Sequence, residues 1–312
     1  MSAPISASFA LGPPKESPTT LFLKSQFCAS PQWPPAGTDL TGKTAIVAGA
    51  TSGLGLEASR QLLRLGLSGL VIAARSAEKG ERVAADLRAR HPAAEIRVWP
   101  LEMESYESVR AFARRAAAQL PRLDIAILNA GLQAARFERV PATGHKRLVQ
   151  VNYLSTALLA ILLLPVLRAS SKGGTGGPGR LSIVSSGTAR GARLAVTEEE
   201  GGGVLAALDD ASRPWSPVER YAVSKLLGHL FMIELARHVS ADEVVVNLVD
   251  PGLVKDTALQ GFAPPLVAAF FYCYKAVLGR TVPVGASTYV DAAVVKGAES
   301  HGCYVANWKI SP

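Results

Sequence analysis

Short apolar runs and amphipathic stripes alternate along most of this 312-residue chain. Thr44-Ala-Ile-Val-Ala48 is apolar and partly β-branched, as a strand covered on both faces requires. From Leu56 the apolar positions 56, 62, 63 and 65 change to helical spacing. The alternation continues through a strand at Leu70–Ala74, a helix at Ser76–Arg90 and a strand at Glu95–Trp99. Ser105 then caps a helix running through Leu120, with Glu107 favourably placed in its first turn. Asp124–Leu128 is the next strand, Thr143–Leu167 a long helix and Leu181–Ser185 a further strand. Pro217–His238 reads as a helix, and Val244–Val249 and Cys303–Ala306 as the last strands. This order predicts an α/β fold: one doubly wound parallel sheet of about seven strands, with helices on both faces.

Two regions fall outside the pattern. Residues 1–39 carry Pro4, Pro13, Pro14, Pro18, Pro31, Pro34 and Pro35 and predict a mostly irregular extension, with Leu21–Phe27 docking as a short helix. The single remaining domain is 40–312. Lys172–Gly179 is a glycine-rich surface connection, and 190–216, rich in Gly, Glu and Asp, reads as an exposed loop.

The candidate chemistry sits at the ends of the predicted strands. Gly49, Gly53 and Gly55 lie between the first strand and its helix, so the helix N-terminus presents free N–H groups and a positive dipole end to a phosphate. Their spacing is not the standard dinucleotide fingerprint; the placement between strand and helix carries the inference. Tyr221 and Lys225 are four residues apart and share a helix face. An ammonium beside a phenol favours the phenolate and is expected to lower its pKa from about 10, making a general acid/base. A chance pair on a solvated helix would look the same in isolation; the glycine turn decides between them. Arg75 follows the second strand, 20 positions beyond Gly55, and no carboxylate lies in Ala73–Ala77. An acidic residue there would bind ribose hydroxyls, whereas a guanidinium suits a 2′-phosphate, so NADP is expected, with Ser52 assisting.

Together the glycine turn, Asn129-Ala130-Gly131, Val151-Asn152, Ser185-Ser186, Tyr221-x-x-x-Lys225 and Pro251-Gly252 resemble the short-chain dehydrogenase/reductase family over about Leu40–His301. Within it, Trp99–Val109, the Leu-rich stretch 158–164 and Gly297–Val305 look like filamentous-fungal members, many acting in secondary metabolism. The resemblance implies a Rossmann-like sheet, a nicotinamide cofactor bound around Gly49, Thr51, Ser52, Gly53, Leu54 and Gly55, and hydride transfer to or from a small-molecule carbonyl or alcohol. It gives Ser186 the role of holding the carbonyl oxygen, Tyr221 that of proton donor, Lys225 that of ribose ligand and phenolate partner, and Asn152 that of holding a relay water. It puts Glu102 and Met103 near the adenine, Asn129, Ala130 and Gly131 beside the nicotinamide ribose, and Pro251, Gly252 and Val254 over the nicotinamide.

Three positions depart from the family pattern. Ala48 replaces a threonine before the first glycine, Glu102 replaces an aspartate, and Asp256 stands where Ser or Thr is usual, with Thr257 next. Either the last loop shifts by one residue or a carboxamide contact is lost. A segment of about 253–280, rich in Leu, Phe, Tyr and Val, is expected to form a lid over a bulky apolar substrate. The rival reading is a dinucleotide-binding scaffold whose redox activity is lost or diverted.

Composition narrows the classes. Hydrophobic residues make up 48% and charged residues 19%, enough to bury a large core. Net charge is +8, but the basic residues are scattered rather than grouped with stacking aromatics, so nucleic acid is not the expected partner. Cys28, Cys273 and Cys303 are odd in number and far apart, the five histidines form no ligand pattern, and the first ten residues lack a cationic start before an apolar core. A reducing, cytoplasmic setting with no metal is expected. Ala157–Leu167 and Phe262–Leu278 look too short to span a bilayer, though 262–278 could touch a membrane surface. Helices 105–120 and 143–167 are those through which family members commonly dimerise; Ala111, Ala116, Ala117, Ala118, Leu158, Leu159 and Leu162 supply either such a seam or ordinary core.

Overall fold

The computed structural model describes residues 6–172, 177–194, 203–257 and 265–312. Its strands are β1 (Thr44–Ala48), β2 (Gly69–Ala74), β3 (Glu95–Pro100), β4 (Ile125–Leu128), β5 (Gly179–Val184), β6 (Val244–Asp250), β7 (Cys303–Ala306) and β8 (Lys309–Ser311). They form a single sheet in the order β3-β2-β1-β4-β5-β6-β7-β8. All neighbours are parallel except β7 and β8, which are antiparallel. The eighth strand was not expected. It turns back through Asn307 and Trp308, both in the left-handed region, so no glycine or proline marked the hairpin.

The helices are α1 (Ala7–Ala10), α2 (Pro18–Phe27), α3 (Gly53–Arg64), α4 (Ala77–Arg90), α5 (Tyr106–Gln119), α6 (Arg147–Val149), α7 (Ser155–Lys172), α8 (Gly203–Asp209), α9 (Pro217–His238), α10 (Pro265–Leu278) and α11 (Val282–Val290). Ser17, Ser76, Ser105 and Ser216 cap α2, α4, α5 and α9 by accepting backbone N–H bonds. One apolar core lies on the sheet face covered by α5, α7 and α9; a second fills the face covered by α3, α4 and α11.

Three expectations need correction. The helix placed at Thr143–Leu167 starts at Arg147, because the preceding residues bend through Gly144, which has φ +73°. Its π-helical turn Gln150–Leu154 leads without a break into α7. The argument that 157–167 is too short for a membrane therefore fails: Arg147–Ser171 is a 25-residue helix containing a stretch of mean hydropathy 1.8, long and apolar enough to cross. Packing accounts for its apolar content, since Leu159, Ala160, Leu163 and Leu167 are wholly buried in the sheet core. The same packing divides the expected seam: Ala116 and Leu159 are core, while Ala111, Ala117 and Ala118 are exposed. Finally, the 190–216 segment is not all exposed loop, because α8 buries Ala207 and packs Leu208 against Val149, Val223 and Leu227. The parts of this segment at 195–202, and of the expected lid at 258–264, lie outside the described residues.

Candidate active site

The carboxyl ends of β1 to β6 meet beneath a cleft of about 1360 Å³, the place where open parallel sheets bind ligands. Gly49, Thr51, Ser52, Gly53, Leu54, Arg75, Glu102, Met103, Asn129, Ala130 and Gly131 line one part. Ser186, Tyr221, Lys225, Pro251, Gly252, Val254 and Thr257 line the other. Of the expected site residues, Gly55 and Asn152 are not on its wall.

The glycine turn is shaped for a ligand held by backbone. Gly49 has φ +73°, and a Cβ there would lie 3.0 Å from Asn129 Nδ2 and 3.1 Å from Ala130 Cα. Gly53 has φ +54°, and a Cβ would meet nothing within 4 Å, leaving open space over the start of α3. Gly55 serves packing instead, since a Cβ would lie 2.5 Å from the Gly49 carbonyl oxygen. The Ser52 side chain makes no cap hydrogen bond, so the first N–H groups of α3 are not covered by it. Asn129 ties the turn to β4, donating to the carbonyls of Ala48 (3.2 Å) and Gly49 (3.1 Å) while accepting from Tyr289 Oη at 3.0 Å. A dinucleotide phosphate fits this cradle. At its edge Arg75 is exposed, with Lys79 also on the wall. The Glu102 carboxylate accepts from the Glu104 N–H at 3.0 Å, and Met103 is buried beneath.

On the other part, α9 carries Tyr221 and Lys225 on one buried face. Lys225 Nζ donates to the Val184 carbonyl at 2.9 Å and lies 5.7 Å from the centre of the Tyr221 ring. Ser186, at the end of the strand beside α9, lies near enough to the Tyr221 hydroxyl to lower its pKa by hydrogen bonding. It also accepts from the Thr188 N–H at 3.3 Å. Asn152, in the π-helical turn, holds the Leu132 N–H (2.8 Å) and carbonyl (2.9 Å) and donates to Ser224 Oγ at 3.0 Å. Its amide oxygen would lie 3.3 Å from a Cβ on Gly131, so it backs the wall rather than forming it.

The electrostatics overturn one expectation. The Tyr221 phenol is pushed up, not down: burial favours its neutral form, the negative charge of Asp250 adds to this, and only the Ser186 hydrogen bond opposes them. The same burial lowers Lys225 to about 8, partly offset by Asp250, so the amine is a weaker cation than the spacing alone suggested. A desolvated phenol of this kind stays protonated at neutral pH.

Several groups around the site were not foreseen. Asp250 lies on the cleft wall and accepts from Tyr304 Oη at 2.8 Å and from the Gly252 N–H at 2.9 Å. His229, read as helix surface, instead hydrogen-bonds Ser185 Oγ at 2.7 Å and is lowered to about 4, burial being the main cause and Arg190 and Lys225 adding to it. Its position one turn beyond Lys225 was the available signal, since the two share a face. Asp256 takes a left-handed conformation at φ +58° and is exposed, while Thr257 faces the cleft. Among the described residues no cluster of His, Cys, Asp or Glu could hold a metal.

The short chain dehydrogenase model matches residues 43–192. A short chain dehydrogenase/reductase, mfmJ, from Annulohypoxylon moriforme is 47% identical over 291 residues, 93% of this chain and 83% of its own. The chain belongs to the short-chain dehydrogenase/reductase family. The short chain dehydrogenase virL of Hypocrea virens is 41% identical over 297 residues, 95% of this chain and 85% of its own. Among solved structures, the gluconate 5-dehydrogenase of Burkholderia cenocepacia in complex with NADP and tartrate superposes with a TM-score of 0.63 at 18% identity, covering 86% of this chain and 96% of that one. That likeness concerns the short-chain dehydrogenase fold alone.

Proposed function

We propose that this short-chain dehydrogenase is an NADPH-dependent carbonyl reductase, working in reverse as an alcohol dehydrogenase. The observation that carries the reading is the convergence of Ser186, Tyr221 and Lys225, distant from the glycine turn in sequence, on the same cleft as that turn. Bound NADPH supplies the hydride. Tyr221, held as the neutral phenol, gives its proton to the carbonyl oxygen as charge develops there. Ser186 donates a hydrogen bond to the same oxygen and orients it. Lys225, fixed by the Val184 carbonyl, holds the ribose and offsets the charge left on Tyr221. Asn152 keeps Leu132 and Ser224 in register behind the wall; its role toward the water that replaces the proton is taken from the family resemblance.

Arg75, with Lys79 beside it, favours the 2′-phosphate of NADP. Gly49, Thr51, Ser52, Gly53 and Leu54 hold the pyrophosphate, with Gly55 allowing the turn to close. Glu102 and Met103 flank the adenine, and Asn129, Ala130 and Gly131 the nicotinamide ribose. Pro251, Gly252, Val254 and Thr257 cover the nicotinamide. We assign the catalytic domain to 40–312 and substrate recognition to about 253–280, with a bulky apolar ketone or secondary alcohol of fungal secondary metabolism as substrate. A cytoplasmic protein, without a membrane span and pairing through α5 and α7, is the accompanying reading.

The rival, a binding scaffold, draws support from Ala48, Glu102 and Asp256. NADPH oxidation followed at 340 nm with a panel of ketones separates the two. Turnover that vanishes in Tyr221→Phe supports the reductase; turnover that survives it removes the proposed proton donor.

A further inference from the structure

α2 has no buried residue, yet polar bonds fasten it to the cleft. Gln26 donates to the carbonyls of Leu253 (3.0 Å) and Leu278 (2.7 Å) and accepts from the Leu253 N–H at 3.2 Å. Arg280, buried, donates to the carbonyls of Ser25 (2.6 Å) and Pro251 (3.1 Å) and to Asn307. A Cβ on Gly252 would lie 2.7 Å from Gln26 Oε1, so the helix and the 251–257 loop are in direct contact. These bonds fix which face of α2 meets the cleft. Pro18, Leu21, Phe22, Ser25 and Gln26 line it, as do Thr188 and Arg190 after Ser186 and Val218 at the start of α9. Phe22 lies parallel to Tyr274 of α10, with ring centres 6.4 Å apart and planes 8° from coplanar.

We propose that α2 is a specificity wall, with Leu21, Phe22 and Tyr274 contacting the part of the substrate remote from the reacting carbon. The inference rests on the carbonyl-reductase reading and deepens it: the favoured substrates are ketones carrying an apolar ring system rather than small or hydrophilic ones. Phe22 and Tyr274 both line the cleft and offer aromatic contact to a ring, with energy beyond simple area burial. Leu21 completes the patch. Gln26 and Arg280 are positioning residues, since their bonds go to backbone and to neighbouring side chains within the protein.

The test compares cyclohexanone with 2-tetralone, which adds a fused benzene ring to the same cyclic ketone. Phe22→Ala is expected to lower kcat/KM for 2-tetralone about ten-fold, mainly through KM, the scale of a lost apolar contact in a pocket. Cyclohexanone turnover and NADPH affinity should stay within about two-fold, as neither ligand reaches the wall in this assignment. Phe22→Tyr should restore 2-tetralone. Equal losses for both ketones, or none for either, overturn the wall. Calorimetric binding of 2-tetralone to the NADP-loaded protein gives a readout independent of turnover. If wild type turns over neither ketone but binds 2-tetralone more tightly than Phe22→Ala does, the redox reading fails and the wall stands. If binding is equal in the two proteins, the wall fails by itself.

Discussion

On the nucleotide side of the cleft, wall residues sit within two positions of a strand end: Gly49 after β1, Arg75 after β2, Glu102 after β3 and Asn129 after β4. On the substrate side, the wall is assembled from α2, the turn after Ser186, the start of α9, the 251–257 loop and α10, which are far apart in sequence. The first side is a set of local strand-to-helix turns held on one rigid sheet. The second depends on contacts such as Gln26 with Leu253 and Leu278. Rigid, local geometry suits a cofactor of fixed shape, while an assembled wall can vary with the substrate.

The largest effect should come from the junction of the two sides. Tyr221→Phe is expected to reduce turnover by a factor of roughly 10²–10⁴, the usual contribution of a general acid, with NADPH affinity retained. A fluorescence titration of bound NADPH alongside the rate checks that split. On the nucleotide side, Gly49→Ala forces a side chain into a left-handed residue pressed against Ala130. We expect a loss of about 1–3 kcal/mol in stability together with weakened cofactor binding, read from urea midpoints and NADPH titration. Arg75→Asp should weaken NADPH binding roughly ten-fold or more and NADH little, the scale of a lost charge-assisted hydrogen bond. Unchanged relative affinities would break the assignment of this side.

Two smaller effects sharpen the other side. Lys146 is buried, its ammonium 4.9 Å from the Phe137 ring centre and 4.7 Å from that of Trp215, and burial lowers it to about 8. Its folded pKa lies below the unfolded value, so the unfolded chain binds the proton more tightly and the charge costs stability below about pH 8. Lys146→Met should therefore raise stability at pH 7 by about 1 kcal/mol, since the charging penalty exceeds a cation–π attraction of about 0.5–2 kcal/mol. Activity should not change, in contrast to Lys225, which shares the pKa of about 8 but faces the cleft. His229 is neutral in the fold and lowered to about 4. Between its unfolded pKa near 6.5 and about 4 the unfolded chain takes up the extra proton, so stability falls as pH falls through that window. His229→Gln should flatten that part of a stability-against-pH curve by about 1–3 kcal/mol, measured by chemical denaturation.

The periodicity of the chain was sufficient for β1 to β7, because buried parallel strands are apolar runs and their helices carry apolar stripes. β8 escaped because a three-residue edge strand has too few positions to show a period. The cleft residues on the nucleotide side were legible for the same reason as the strands: they follow from the strand ends. Asp250, Tyr289 and the Gln26 face of α2 were not, since nothing near them in sequence says which distant backbone they meet.

The sequence by itself determined the strand–helix order, the glycine cradle and the Tyr221/Lys225 face, all of which are fixed by neighbours within a few turns of chain. Only the tertiary structure decided the protonation of Tyr221, because that depends on burial and on Asp250, brought to the site by another strand. Spacing sets which groups can meet; the dielectric around them, which no local pattern encodes, sets what charge they carry.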